Sequence, residues 1–260
     1  MKFLFRSVVV FCGIFLASCA VTTDRDSLFQ TSTIDALLAG VFDGETSFGE
    51  IRAHGDFGIG TFDALDGEMI LLDGTVFQVA FDGSVNVVDD VVTTPFANST
   101  FFDPDIEIIL DEPIASFAEL EKFLDSQIES PNLFYAIKIE SEFPQIKTRS
   151  VPRQNRPYPP LAEVVAEQNK FDFENVAGTV VGFRSPDFVA GVNVPGYHLH
   201  FLNAARDAGG HILEIALDPG TKIELDPTPR FALALPESGD FLDTNLAADK
   251  SAELEKVEKN

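Results

Sequence analysis

Residues 196–211 read GYHLHFLNAARDAGGH and contain three of the four histidines in the chain. His198 and His200 lie two residues apart in an apolar run, a spacing that puts both side chains on one face of a β-strand. Residues 203–210 are small, polar or glycine, which is typical of a loop, and a second apolar run starts at His211. We therefore predict a hairpin that brings His211 beside the other two histidines.

Three neutral imidazoles that converge on one point are a common way to hold zinc with a position left open for a substrate. Nickel, cobalt, iron and copper also accept imidazole ligands. The alternative is a strand with two surface histidines and an unrelated third. The scarcity of histidine elsewhere favours the metal site, and the fourth histidine, His54, is interpreted as a loop residue.

The rest of the chain indicates an α+β fold with largely antiparallel or mixed sheets. Asp-Gly pairs end at residues 44, 67, 74 and 83 and separate apolar runs, which predicts an antiparallel meander because Asp-Gly suits tight hairpins. Short helices are predicted in residues 31–40, from Ser116 and from Pro159, and a charged helix is predicted in the tail. We expect an N-terminal α/β half over residues 31–158 and a C-terminal metal-binding half with the tail over residues 159–260.

The segments that start at Gly55 and Gly196 share one order of features: glycine, strand, polar bend, glycine, strand, then Asp and Gly-Thr. With two residues inserted in the bend, Glu68 falls opposite His211. Either chance or an internal duplication explains this likeness. A duplication predicts two similar halves whose equivalent strands face each other, which would bring Glu68 to the metal.

A basic cluster stands out in a strongly acidic chain. Lys147, Arg149, Arg153 and Arg156 lie within ten residues, with no acidic residue between Phe143 and Ala162. Arginine suits the capture of a carboxylate because its planar fork donates to two oxygens. The alternative is a basic loop that pairs with the acidic surface.

The first residues form a separate unit. Lys2 and Arg6 precede a short apolar run that ends in LASC at Cys19, which predicts an export signal rather than a part of the fold. The LASC ending resembles the lipobox of bacterial lipoproteins, in which the cysteine becomes the lipidated first residue. We expect a lipoprotein signal peptide over residues 1–18 and a polar tether over residues 19–30; an ordinary secretory signal with a chance cysteine is the alternative.

The formal net charge of −24 excludes whole classes of partner. A protein that binds DNA or RNA needs a basic face, so we expect no nucleic-acid partner. The same charge opposes direct adhesion to an anionic membrane, so we expect membrane contact only through a lipid on Cys19. The predicted location is the bacterial envelope, facing the periplasm or the cell surface.

The motifs GDFGIGTFDALDGEMILLDG, SPNLFYAIKIE, KTRSVPRQNRPYPPLAEVV, GTVVGFRSP and GYHLHFLNAARDAGGHILE resemble those of the acetolactate decarboxylase family. This resemblance runs from about residue 31 to the tail. It implies two α/β halves with zinc between them, usually as a homodimer. It also implies decarboxylation of the small molecule 2-acetolactate to acetoin and CO2.

The resemblance assigns residues to that chemistry. It implies Zn2+, or another divalent transition metal, on His198, His200 and His211, with Glu68 and Arg149 beside it. A second glutamate of the family comes from the tail and matches Glu258, with Glu255 as the alternative. The competing hypotheses are a zinc hydrolase and a non-catalytic metal-binding envelope lipoprotein.

Overall fold

The computed structural model describes residues 25–259, and two β-sheets dominate it. The strands are β1 Ser27–Thr31, β2 Thr46–Ser47, β3 Phe57–Thr61, β4 Glu68–Leu72, β5 Thr75–Val79, β6 Val85–Val87, β7 Thr93–Thr94, β8 Ala97–Thr100, β9 Ile106–Ile109, β10 Phe134–Ser150, β11 Asn169–Ser185, β12 Gly196–Asn203, β13 Gly209–Ala216, β14 Lys222–Thr228 and β15 Arg230–Ala234. The helices are α1 Ile34–Leu38, α2 Phe48–His54, α3 Phe117–Asp125, α4 Leu161–Val165, α5 Asp240–Asp243 and α6 Ser251–Lys259.

The first sheet has seven strands in the order β15-β1-β8-β3-β4-β5-β6. Strands β3 to β6 form an antiparallel meander, as the Asp-Gly pattern predicts. At the tip of β4 and β5, Asp73 and Gly74 both have positive φ (51° and 71°), which is the conformation of a type I′ hairpin turn. The remaining neighbours are also antiparallel, except that β15 pairs in parallel with β1.

The second sheet has the order β11-β12-β13-β10-β14-β9, with a further pairing between β10 and β11. That pairing joins the first strand of the series to the fourth, so that β10, β11, β12 and β13 form a closed ring of strands with β14 and β9 outside it. Strands β10 and β11 are both 17 residues long and pair along almost their whole length. The histidine hairpin is part of this ring, which limits how far either of its strands can move.

The two sheets pack face to face through a shared apolar cluster. Phe57 and Ile59 of the first sheet lie in the same buried cluster as Phe134, Val181 and Phe183 of the second. These side chains are nearly inaccessible to solvent, so the sheets are held together mainly by the hydrophobic effect. A separate cluster under α1 and α4 takes up Leu254 and Val257 of α6 and fixes the tail helix on the molecule.

The helices begin where the sequence places caps. The Thr33 hydroxyl accepts a hydrogen bond from the Ala36 amide at the start of α1. At α3 the Ser116 hydroxyl accepts from the Glu119 amide, while the Glu119 carboxylate accepts from the Ala115 amide. This pairing is close to the capping box that the Ser-x-x-Glu pattern predicts. Within residues 25–259, no helix is long and apolar enough to cross a membrane.

The structure confirms the α+β class and the antiparallel and mixed sheets, and it corrects three finer predictions. The tether predicted over residues 19–30 is wrong at its end, because Leu28 and Phe29 are buried in β1. The boundary predicted between residues 158 and 159 does not separate the sheets, since β9 and β10 belong to the second sheet and β15 to the first. His54 was predicted to be a loop residue, but it is the last residue of α2, and its ring stacks on the ring of Phe29. Cys19 and the signal segment lie outside the described residues.

Candidate metal centre

The three histidines predicted from the sequence meet at one point. His200 on β12 pairs directly with His211 on β13, and His198 lies on the same face of β12. The ring centroids are 5.0–5.4 Å apart, and one ring nitrogen from each histidine lies within 4.8 Å of the other two. This spacing suits three ligands of one ion.

One main-chain contact fixes how His200 presents its ring. Its Nδ1 lies 2.9 Å from the Met69 carbonyl oxygen, which can only accept a hydrogen bond. Nδ1 therefore carries the proton, and Nε2 keeps its lone pair. Metal-bound histidines are commonly oriented by such a second contact. Here β4 of the first sheet orients a histidine of the second.

Burial keeps all three imidazoles neutral. It lowers the pKa of His198 to about 3, with a further lowering from the nearby Arg149 guanidinium. The pKa values of His200 and His211 also fall well below the usual range, mainly through burial, with help from Arg149 and from neighbouring histidines. A neutral imidazole is the form that binds a metal ion.

A buried ion pair lies beside the histidines. The Arg149 Nη1 atom on β10 donates to the Glu68 Oε1 atom on β4 at 2.7 Å, and both side chains are 7% exposed or less. The other Glu68 oxygen lies 3.7 Å from His200 Nε2. Burial raises the pKa of Glu68 to about 7, with Arg149 opposing that rise and Glu258 adding to it.

The tail helix α6 brings the second carboxylate. Glu258 Oε2 lies 3.8 Å from His211 Nε2, and burial raises the pKa of Glu258 to about 7 while Arg149 opposes the rise. The alternative residue, Glu255, is exposed one turn earlier on α6. The structure therefore brings Glu258, rather than Glu255, to the histidines.

Two cavities lie at this point, and Glu258 lines both of them. A small inner cavity of about 40 Å³ has Glu68, Arg149, His198 and Glu258 in its wall. An outer pocket of about 810 Å³ reaches His211 and Glu258 from the other side. The apolar wall of the inner cavity was not predictable from the sequence, because its members come from distant elements without a shared motif. They are Ile34, Leu37, Leu65, Phe96, Val151, Leu161 and Val257.

The basic cluster of residues 147–156 divides between two roles. Arg149 alone lies in the wall of the inner cavity. Lys147 pairs with Asp172 and Glu214 on the neighbouring strands. Arg153 pairs with Asp63 and Asp66, and Arg156 pairs with Asp43 and Asp240. These three therefore fit the interpretation of basic groups that neutralise the acidic surface.

The donor set fits a divalent metal ion. Within residues 25–259, each histidine has one buried ring nitrogen without a hydrogen-bond partner: His198 Nδ1, His200 Nε2 and His211 Nδ1. A buried polar atom normally has a partner, so three such atoms in one cluster require an explanation. A metal ion shared by the three rings provides one.

Comparisons with known proteins show which family the chain resembles. The family profile described as alpha-acetolactate decarboxylase matches residues 28–248. The alpha-acetolactate decarboxylase of Methanosarcina mazei is 52% identical over 234 residues, which cover 90% of this chain and 81% of the relative. That of Methylococcus capsulatus is 45% identical over 231 residues, covering 89% and 88%.

A solved structure shows the same fold. The crystal structure of alpha-acetolactate decarboxylase from Bacillus subtilis strain 168 aligns with a TM-score of 0.87 at 39% identity. The alignment covers 90% of this chain and all of that one. Identity at this level over nearly the whole described chain, together with the matching architecture, shows common descent. The chain belongs to the alpha-acetolactate decarboxylase family.

Proposed function

We propose that the protein converts 2-acetolactate to acetoin and CO2 at the histidine site and that the reaction depends on a divalent metal ion. The observation that carries the metal dependence is the cluster of three neutral imidazoles with unpartnered nitrogens, next to the buried Arg149–Glu68 pair. Membership of the decarboxylase family supports the substrate.

His198, His200 and His211 would hold the metal ion, and Zn2+ is the proposed occupant. Other imidazole-binding divalent metals are compatible with this donor set. Such an ion supplies a Lewis acid that stabilises the negative charge that develops on the substrate as CO2 leaves.

Arg149 is proposed to bind the substrate carboxylate. Its Nη1 atom donates to Glu68, while its Nε atom is buried and has no hydrogen-bond partner in the described part of the chain. A guanidinium has five N–H donors in a fixed fork, so the Glu68 contact leaves donors for a second anion. The carboxylate is held in this way while its bond to the neighbouring carbon breaks.

A proton must replace the departing CO2 on that carbon. Glu68 and Glu258 are the candidate donors, since burial raises the pKa of each to about 7 and a carboxyl group of that pKa exchanges its proton near neutral pH. Arginine is a poor donor because its pKa is too high. The apolar wall of the inner cavity excludes water from the reacting carbon.

The test is acetoin formation from racemic 2-acetolactate by the purified protein, with and without a strong chelator. We expect rapid acetoin formation that is lost on chelation and restored by zinc. His200→Gln should abolish both metal binding and turnover. A folded, zinc-loaded protein that forms no acetoin would overturn the proposal and favour the zinc hydrolase or the metal-binding lipoprotein.

We also propose that the protein is exported and anchored by a lipid on Cys19. The basic start, the apolar run and LASC support this, and only seven residues separate Cys19 from β1. Metabolic labelling with a radioactive fatty acid tests it: the wild-type protein should be labelled and fractionate with membranes, whereas Cys19→Ser should not. An unlabelled wild-type protein would favour an ordinary secretory signal.

A homodimer is the proposed assembly, as the family resemblance implies. Light scattering on the purified protein tests this proposal directly. A particle of one chain mass over a range of concentrations would refute it.

A further inference from the structure

Two buried hydroxyl groups flank Arg149 on β10. The Thr148 hydroxyl donates to the Gly209 carbonyl oxygen at 2.8 Å, and the Ser150 hydroxyl donates to the Val79 carbonyl oxygen at 2.8 Å. Both side chains are completely buried. Neither residue lines the inner cavity, so neither is placed to touch the substrate.

The Thr148 contact holds the segment that leads into His211. Gly209 and Gly210 lie between β12 and β10 with no space for a side chain. A Cβ atom on Gly209 would lie 2.2 Å from the Phe201 carbonyl oxygen, and one on Gly210 would lie 2.4 Å from the Arg149 carbonyl oxygen. The hydrogen bond from Thr148 thus fixes the main chain two residues before a proposed metal ligand.

The Ser150 contact joins the two sheets. Val79 on β5 is the direct partner of Glu68 on β4. A hydrogen bond from β10 to Val79 therefore fixes the strand that carries Arg149 against the pair of strands that carries Glu68. The Arg149–Glu68 ion pair crosses between the same two sheets.

We propose that Thr148 and Ser150 are positioning residues with separate tasks: Thr148 sets His211 for metal binding, and Ser150 sets Arg149 against Glu68. Only the role of Ser150, which is tested by enzyme kinetics, rests on the proposed function. The role of Thr148 in metal binding stands on the geometry of β10, β12 and β13.

The first arm of the test measures zinc affinity by competition with a chromophoric chelator. Thr148→Val keeps the shape of the side chain and removes the hydroxyl, and we expect zinc affinity to fall about tenfold, the lower end for loss of a contact that supports a ligand. Thr148→Ser should restore the affinity. The matched control is Thr228→Val, because the Thr228 hydroxyl is buried in the same sheet and has no hydrogen-bond partner among the residues that the structure describes.

Equal zinc affinity of Thr148→Val and Thr228→Val would overturn the role of Thr148. If Thr148→Val does not fold, Thr148→Ser and Thr148→Ala carry the same comparison, since both shorten the side chain and only serine keeps the hydroxyl. The visible spectrum of the cobalt-substituted protein gives a second readout, which should change in the variants without the hydroxyl and stay unchanged in the control.

The second arm measures steady-state kinetics at full metal occupancy. Ser150→Ala should lower kcat/KM about tenfold, mainly through a higher KM, with zinc affinity unchanged. Ser99→Ala is the control, because Ser99 is also fully buried and donates to a main-chain carbonyl, that of Ile51, away from the site. Equal KM values for the two variants would overturn the role of Ser150.

If Ser150→Ala is unstable, Ser150→Cys is only slightly larger than serine and weakens the donor, and it should shift KM in the same direction. A wild-type protein without decarboxylase activity would refute the proposed function. That result would leave the zinc-affinity arm as an independent test of Thr148.

Discussion

At the scale of single residues, Arg149 combines an ion pair within the fold with a proposed role in substrate binding. It neutralises a buried glutamate on the opposite sheet, and within residues 25–259 its buried Nε atom has no hydrogen-bond partner. A buried ion pair contributes little net stability, but removing one partner leaves a buried charge that costs about 3–5 kcal/mol. A conservative replacement is therefore more informative than alanine.

Arg149→Lys keeps the charge and loses the planar fork. We expect kcat/KM to fall about tenfold to a hundredfold, the cost of one or two hydrogen bonds to a charged group. Steady-state kinetics and zinc content of the purified variant check this, and the zinc content should not change. Arg153→Lys is the control, since Arg153 is half-exposed and pairs with surface acids. Unchanged kinetics in Arg149→Lys would remove Arg149 from the site.

Protonation of Asp226 makes the free energy of unfolding depend on pH, independently of the metal site. Burial raises its pKa to about 7, the Asp103 amide opposes the rise, and Asp105, Asp26 and Asp103 add to it. The folded protein therefore binds this proton more tightly than the unfolded chain. The contribution of this proton to the free energy of unfolding is fully present below about pH 4, and it is lost as the pH rises through about 7.

Asp226→Asn should remove that loss. The difference in unfolding free energy between Asp226→Asn and the wild type should shift in favour of the variant from pH 5 to pH 8. Urea denaturation at the two pH values measures it. The matched control is Asp111→Asn at an exposed position. A difference that does not change with pH would contradict the assignment.

The histidines, Glu68 and Arg149 were within reach of sequence reasoning because each lies in a short, unusual pattern, whereas Glu258 followed only from the family resemblance. Spacing alone predicts the His198–His200 face and the turn to His211, and the structure brings the three rings together. Thr148 and Ser150 were not predictable in this way. Their partners, Gly209 and Val79, are 61 and 71 residues away, and a buried hydroxyl has no local signature.

At the scale of the elements, strand β13 depends on its two glycines. Gly210 has φ of 132°, which side chains rarely adopt, and its Cβ position is filled by the Arg149 carbonyl oxygen. The register of the β10–β13 pairing also shifts between Lys147 and Thr148, because β13 has one extra residue at that point. After this shift, Arg149 is the direct partner of His211. A β-bulge near a functional site re-aims side chains in this way.

Gly210→Ala should lower stability by about 2–4 kcal/mol, because strain in the main chain adds to a clash that only a strand shift can relieve. Zinc affinity should fall as well, since the shift moves His211. Chemical denaturation and chelator competition check the two effects. Gly220→Ala separates them: Gly220 also has positive φ, at 90°, but its Cβ would meet nothing within 4 Å. We expect that control to lose about 1–2 kcal/mol and to bind zinc normally.

Elements were predictable where a pattern is local. The hairpin β4–β5, helices α1 and α3 and the histidine strands follow from turn residues, caps and alternation. Strand β1 was not predicted because its polar flanks conceal a four-residue buried run. The helix expected from Pro159 ends at Val165, because β11 begins at Asn169. This strand starts well before the apolar run from which it was predicted.

At the scale of the whole molecule, the composition indicates a strongly acidic protein, and the structure pairs most of its buried and half-buried cations with acids. The excess of negative charge repels itself across the surface. Surface ion pairs contribute little to stability, so screening by salt should relieve more repulsion than it removes attraction.

Raising the ionic strength from about 0.01 M to about 0.15 M shortens the screening length from about 30 Å to about 8 Å. The thermal midpoint, measured by calorimetry at pH 7.5, should therefore rise by a few degrees. The same salt step at pH 5 should have a smaller effect, because the net charge falls toward the isoelectric point near 4.3. A midpoint that falls with salt would show that attractive pairs outweigh the repulsion.

The global arrangement was predictable only in outline. The α+β class and the place of the site between two sheets follow from motif order and family resemblance. The exchange of strands between the two halves of the chain could not be predicted. Long-range packing rather than local pattern decides which sheet β9, β10 and β15 join. A linear division of the chain into two halves therefore describes the motifs and not the sheets.

The parallel pairing of β15 with β1 also has a consequence for the time course of biosynthesis. Ser27 pairs with Arg230, so the first sheet lacks its edge strand until residues near 234 have left the ribosome. Glu258 emerges later still. The complete first sheet is therefore available only after nearly the whole chain has been synthesised, although its other six strands lie within residues 27–100.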